Sequence, residues 1–98
     1  MTAADLKAIV ASLIPVFGLE GWQWSADVVA SGDFLARVLP IPERRIFRVE
    51  VSSSCPPSEV KPSLIHELIH VVLSPLTAIV EQSAGAVMLE EQAVEALT

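Results

Sequence analysis

The chain predicts an α+β domain in the order helix, three strands, helix, helix. Three observations carry that expectation. Apolar residues recur at helical spacing near the start, alternate with polar ones between residues 22 and 51, and return to helical spacing from residue 61 onward. A length of 98 residues leaves room for one hydrophobic core, so residues 1–98 are expected to form a single domain.

The first helix is expected over residues 3–14. Thr2 opens a Thr-x-x-Asp pattern that can cap a helix start. Leu6, Ile9, Val10 and Leu13 then follow at helical spacing, and Pro15 stops the run. Trp22 to Ser25 alternates, Val28 and Val29 continue it, and Ser31-Gly32-Asp33 marks a turn. Phe34 to Leu39 is apolar apart from Arg37, and Pro40 and Pro42 bracket a loop. Ile46 to Val51 alternates apolar with charged residues, the pattern of a half-buried strand. These runs predict a small sheet of three strands, antiparallel between neighbours.

Residues 52–58 read as a loop, because two successive prolines oppose both helix and ladder pairing. A second helix is expected from about Lys61, with Pro62 suited to the first helical position, to Ser74-Pro75. A third helical stretch is expected over 76–98, weakest at Ser83-Ala84-Gly85.

Composition narrows the function. Hydrophobic residues are 52% and charged residues 18%, which excludes intrinsic disorder. No apolar run approaches the roughly 18 residues that span a bilayer, so no membrane association is expected. The start of the chain lacks a basic stretch followed by an apolar core, so no signal peptide is expected. A net charge of −6 repels phosphate backbones and argues against nucleic acid as a partner. Cys55 is the one cysteine, which precludes an internal disulfide and fits a cytoplasmic protein. Oligomeric state is not legible.

The chemistry sits in the second helix as His66-Glu67-Leu68-Ile69-His70, an H-E-x-x-H pattern. Residues four apart on a helix lie about 40° around its axis, on one face. Two imidazoles so placed can reach one metal ion at about 2.0–2.1 Å. Glu67 lies about 100° from His66, beside the metal, where its carboxylate can take a proton from a metal-bound water. Leu64, Ile65, Leu68, Ile69, Val71 and Val72 form an apolar back, while Ser63, His66, Glu67 and His70 share the remaining arc. Such a pattern arises in roughly 0.2% of shuffles of this composition, before a helix is required. A pair of ordinary core or surface histidines is the bland alternative.

A catalytic zinc keeps three protein ligands and one open position. These are the only two histidines, so the third ligand must be another residue type, and Glu81, Glu90, Glu91 and Glu95 are candidates. Residues 89–97 read as an amphipathic helix on which Glu91 and Glu95 share a face. One can ligate while the other accepts a hydrogen bond from a ligand histidine. Taken alone, this run reads as a solvated acidic helix.

His66-Glu67-Leu68-Ile69-His70 with a downstream Glu-rich helix resembles the zincin metallopeptidases. A glutamate as third ligand looks like their gluzincin branch, and the short chain resembles the small single-domain minigluzincin-like and phage-type HExxH proteins. The resemblance covers about residues 46–98. It implies a minimal zincin-like fold: an N-terminal helix, a small three-stranded sheet, an active-site helix and a C-terminal glutamate helix. It implies a zinc-dependent peptidase acting on a peptide or protein, with His66 and His70 as ligands, Glu67 as general base and acid, and a glutamate in 90–95 as third ligand. The gap usual in larger members favours Glu90. The acidic residue four positions on favours Glu91, with Glu95 as the carboxylate that orients a ligand histidine. Glu91 is therefore expected to ligate, with Glu90 as the alternative.

Many gluzincins stabilise the oxyanion with a tyrosine or a further histidine. This chain has no tyrosine and no histidine to spare. Arg48 and Arg45 are the first candidates for that role, with Arg37 and Arg44 behind them, unless a backbone N–H or the metal alone serves. Trp22 and Trp24 share a strand face and read as core. Cys55, just before the metal helix, reads as an ordinary loop cysteine, with a latent zinc ligand as the sharper alternative. A non-catalytic module, in which zinc is structural and the domain binds a protein partner, is the second function the sequence allows.

Overall fold

The computed structural model describes residues 1–80, with side chains described to residue 77. It shows an α+β fold of two helices and a three-stranded mixed sheet. Helix α1 spans Ala3–Leu13, strands β1, β2 and β3 span Gln23–Val29, Ala36–Ile41 and Ile46–Ser52, and helix α2 spans Pro57–Val80. The expected third helix lies mostly beyond residue 80, outside the described residues.

Helix α1 begins as its sequence dictates. Thr2 Oγ1 accepts from the Asp5 N–H, and the Asp5 carboxylate accepts from the Thr2 N–H, both at 3.1 Å. Hydrogen bonds to its charged form from the Thr2 main-chain N–H, and then from the Thr2 hydroxyl, hold the Asp5 carboxyl below the usual carboxylate range. Leu6, Val10 and Leu13 are buried, and Ile9 packs beside them.

The sheet differs from the antiparallel expectation. Its order is β1-β3-β2, with β1 parallel to β3 and β2 antiparallel to it. Alternation fixes which residues share a face but carries no information about which strand lies in the middle. β3 is central because it is apolar where it meets the helices, with Phe47, Val49 and Val51 all buried. Residues 30–35 carry the chain across the end of β3. They are pinned there by Ser52, whose hydroxyl donates to the Ser31 carbonyl at 2.6 Å, and by the Ser52 N–H, which donates to the Leu35 carbonyl at 2.8 Å. A short 3-10 turn, Pro42–Arg44, closes the β2–β3 connection, with Arg45 left-handed at φ 52°.

Both helices cover one face of the sheet. The core joins Leu6, Val10 and Leu13 of α1 to Ala26, Phe47, Val49 and Val51 of the sheet and to Val60, Leu64, Leu68 and Val71 of α2. Trp22 and Trp24 pack on Phe47, with ring centroids 5.9 and 6.5 Å away, as the core reading expects. The opposite face carries Asp27, Arg37, Arg48 and Glu50 in one ionic cluster.

Helix α2 starts four residues earlier than the proline reading places it, and Pro75 does not end it. Pro57 takes the first turn, where a missing N–H costs nothing. Pro62 and Pro75 then lie inside the helix. Pro75 cannot donate to the Val71 carbonyl one turn back, but the Ser74 hydroxyl donates to that carbonyl at 2.7 Å. The side chain replaces the missing backbone bond, and the helix continues to Val80.

Candidate metal centre

Helix α2 presents two stripes. Val60, Leu64, Leu68 and Val71 are buried against the sheet, while Ser63, His66, Glu67 and His70 lie along the flank, half-buried. The burial of one stripe fixes the direction of the other, because both are set by the same helical pitch.

His66, Glu67 and His70 each offer one ligand atom within 4.8 Å of the other two. The two imidazole rings stand edge to face with centroids 5.1 Å apart. A ring nitrogen that ligates zinc at about 2.0–2.1 Å puts the ring centroid about 3.2 Å from the metal, so two such rings at a tetrahedral angle stand about 5.2 Å apart. The observed separation therefore fits two imidazoles converging on one ion. The donor set, two imidazoles with a carboxylate beside them, suits zinc and other borderline divalent metals.

Glu67 bridges α2 and the sheet. Its Oε1 accepts from the main-chain N–H of Val38 in β2 at 3.2 Å. Its Oε2 stands 3.9 Å from His66 Nε2. The side chain of Glu67 is 17% exposed and that of His66 29% exposed, so both reach solvent without lying open to it. A depression of about 360 Å³ adjoins them, lined by Leu35, Ala36, Glu59, Pro62, Ser63, His66 and Glu67.

Other expected site residues lie elsewhere. Arg48 sits on the sheet face away from α2, held by Asp27 at 3.3 Å and Glu50 at 3.5 Å. Strand alternation explains this: Phe47 and Val49 are buried under the helices, so Arg48 between them must point the other way. Arg45, left-handed at the end of the β2–β3 turn, lines a separate depression with Trp22, Val72 and Pro75. Neither arginine lines the depression beside His66 and Glu67. Arg37 is bound to Glu50 at 2.6 Å, on the same outer face as Arg48. Cys55 packs near Met1, Val28, Val51 and Val60, apart from the histidines. Burial, and then the Glu59 carboxylate, push its thiol up, which disfavours the thiolate a metal needs. Glu81, Glu90, Glu91 and Glu95 lie outside the described residues.

Two contributors escaped the sequence reading. Glu59 lines the depression, but an expected helix start at Lys61 left it outside the helix. The early proline, Pro57, was the signal that could have recovered it. Val38 contributes only its main-chain N–H, which no residue type advertises. Among the described residues, no helix is long and apolar enough to cross a membrane. No protein-family model, curated protein or solved structure matches the chain.

Proposed function

We propose that the chain is a zinc-dependent metallopeptidase built on a minimal HExxH site. One observation carries this reading: His66 and His70 converge at a spacing that fits a shared ion, with the Glu67 carboxylate beside them at the rim of a depression. His66 and His70 each supply one imidazole nitrogen. Glu91 completes the ligand set, and Glu95 accepts the remaining N–H of a ligand histidine. Glu90 is the alternative to Glu91. When bound, zinc polarises a carbonyl and lowers the pKa of a ligated water toward about 7. Glu67 accepts the proton of the attacking water and passes it to the leaving amine. The substrate is a peptide or protein, and a cleft with so few walls gives broad specificity.

The second reading is a structural zinc module that binds a protein partner. Its support is that, among the described residues, no arginine or lysine lines the depression to stabilise an oxyanion. Metal content and turnover of three proteins separate the two. The wild type carries stoichiometric zinc and cleaves a casein-type substrate, Glu67→Ala keeps zinc and loses turnover, and His66→Ala loses both. Zinc without turnover in the wild type favours the structural module. Zinc in neither the wild type nor His66→Ala removes the metal site altogether.

A further inference from the structure

The free edge of the sheet faces the site. β2 is an edge strand among the described residues, bonded to β3 on one side only. The Leu35 carbonyl just before β2 accepts from Ser52, so odd-numbered residues of this strand turn their main-chain groups toward β3. Even-numbered residues therefore turn theirs outward. That set is Ala36, Val38 and Pro40. Pro40 has no N–H to offer, and the Val38 N–H is already given to Glu67 Oε1.

This arrangement divides the work of the carboxylate. Oε1 is held by the strand, while Oε2 faces His66 at 3.9 Å. A glutamate side chain has three rotatable bonds, and a bond from the strand to one of its oxygens narrows the rotamers open to it. We propose that the main-chain amide of Val38 is a positioning group for Glu67, holding Oε1 so that Oε2 is the oxygen turned to His66. This rests on the reading of Glu67 as the proton carrier. Val38 touches no reacting atom and acts only through Glu67.

The strand also supplies a clean test. Proline is tolerated on an edge strand where the N–H points outward, and Pro40 already occupies the equivalent position two residues on. Val38→Pro removes the donor and breaks no bond to β3. Val38→Ala keeps the donor and removes only side-chain packing. Replacing the Val38 amide by an ester keeps the side chain and serves if the proline variant does not fold.

The first readout is NMR and needs no activity. In wild type and Val38→Ala, the Glu67 γ-methylene protons should be distinct, as for one rotamer. In Val38→Pro or the ester they should merge, and Glu67→Ala should speed hydrogen exchange at Val38 at least tenfold. The second readout is kinetic: misplacement of the carboxylate should lower kcat by about 10–100-fold in Val38→Pro, with KM and zinc content unchanged. A single Glu67 rotamer in the zinc-loaded proline or ester variant overturns the proposal. Loss of rotamer order without any wild-type turnover upholds the positioning and overturns the peptidase reading instead.

Discussion

Glu91 is the residue whose role is most exposed to test. On the helix that the sequence predicts for residues 89–97, Glu90 and Glu91 would point about 100° apart and Glu91 and Glu95 within about 40°. A ligand histidine donates its second N–H to a carboxylate or carbonyl. If Glu91 ligates, Glu95 stands one turn on and can accept that bond; if Glu90 ligates, the same place holds Val94, which cannot. Glu91→Ala is therefore expected to abolish stoichiometric zinc, and Glu95→Ala to weaken zinc about 10–100-fold. Titration with a chromophoric chelator reads both. Zinc lost in Glu90→Ala and kept in Glu91→Ala would reverse the assignment while leaving His66 and His70 in place. At this scale the sequence was legible where a side chain carries the chemistry. His66, Glu67 and His70 were found because pitch alone brings them together. The Val38 amide was not, because every non-proline residue carries one. Arg48 stands away from the histidines for another reason. Its charge was visible, but its direction is decided by the burial of Phe47 and Val49 on either side.

Among the elements, helix α2 shows how local rules yield to a neighbouring side chain. Pro62 and Pro75 read as a start and a stop, and neither serves as one. Pro75 removes a bond to the Val71 carbonyl, and buried Ser74 restores it. Such compensation depends on the pair Ser74-Pro75, not on either residue's own propensity. Ser74→Ala should cost about 1–3 kcal/mol, the range for leaving a buried backbone group without its partner. In a Pro75→Ala background residue 75 regains its N–H, so the same substitution should cost less than about 0.5 kcal/mol, as when the lost bond has a substitute. Urea denaturation of the four proteins measures the difference. Equal costs in both backgrounds would mean that the hydroxyl does not substitute for the missing N–H. The sheet makes the complementary point. Its three strands were legible as runs, although β2 continues through Pro40 and Ile41 where a loop was expected, yet the order β1-β3-β2 was not. Strand order depends on Ser52 gripping the Ser31 carbonyl and on the apolar stretch of β3 seeking the centre, and these are contacts across sequence distance.

For the molecule as a whole, the question is whether the site is a passenger on the fold or part of what holds it together. The stripe of α2 that carries His66 and His70 is flanked by the stripe that carries Leu64, Leu68 and Val71 into the core. An ion held by both histidines and by a glutamate from residues 90–95 would tie α2 to the segment that follows it. The unfolded chain has no such preformed set of ligands, so the binding free energy becomes folding free energy. With free zinc a hundredfold above Kd, the folded state gains about 2.7 kcal/mol. Each kcal/mol shifts the Tm of a domain this size by about 4–8 °C. Chelation should therefore lower Tm by roughly 10–20 °C, and calorimetry with and without chelator reads it directly. His66→Ala supplies the control, because its Tm should not respond to chelator. Glu67→Ala should respond as the wild type does, since Glu67 carries protons and holds no metal in this reading. A Tm indifferent to chelator in the zinc-loaded wild type would mean that the histidines bind an ion the fold does not need. A response lost in Glu67→Ala would instead make that carboxylate a ligand, and the third position would then belong to α2 itself.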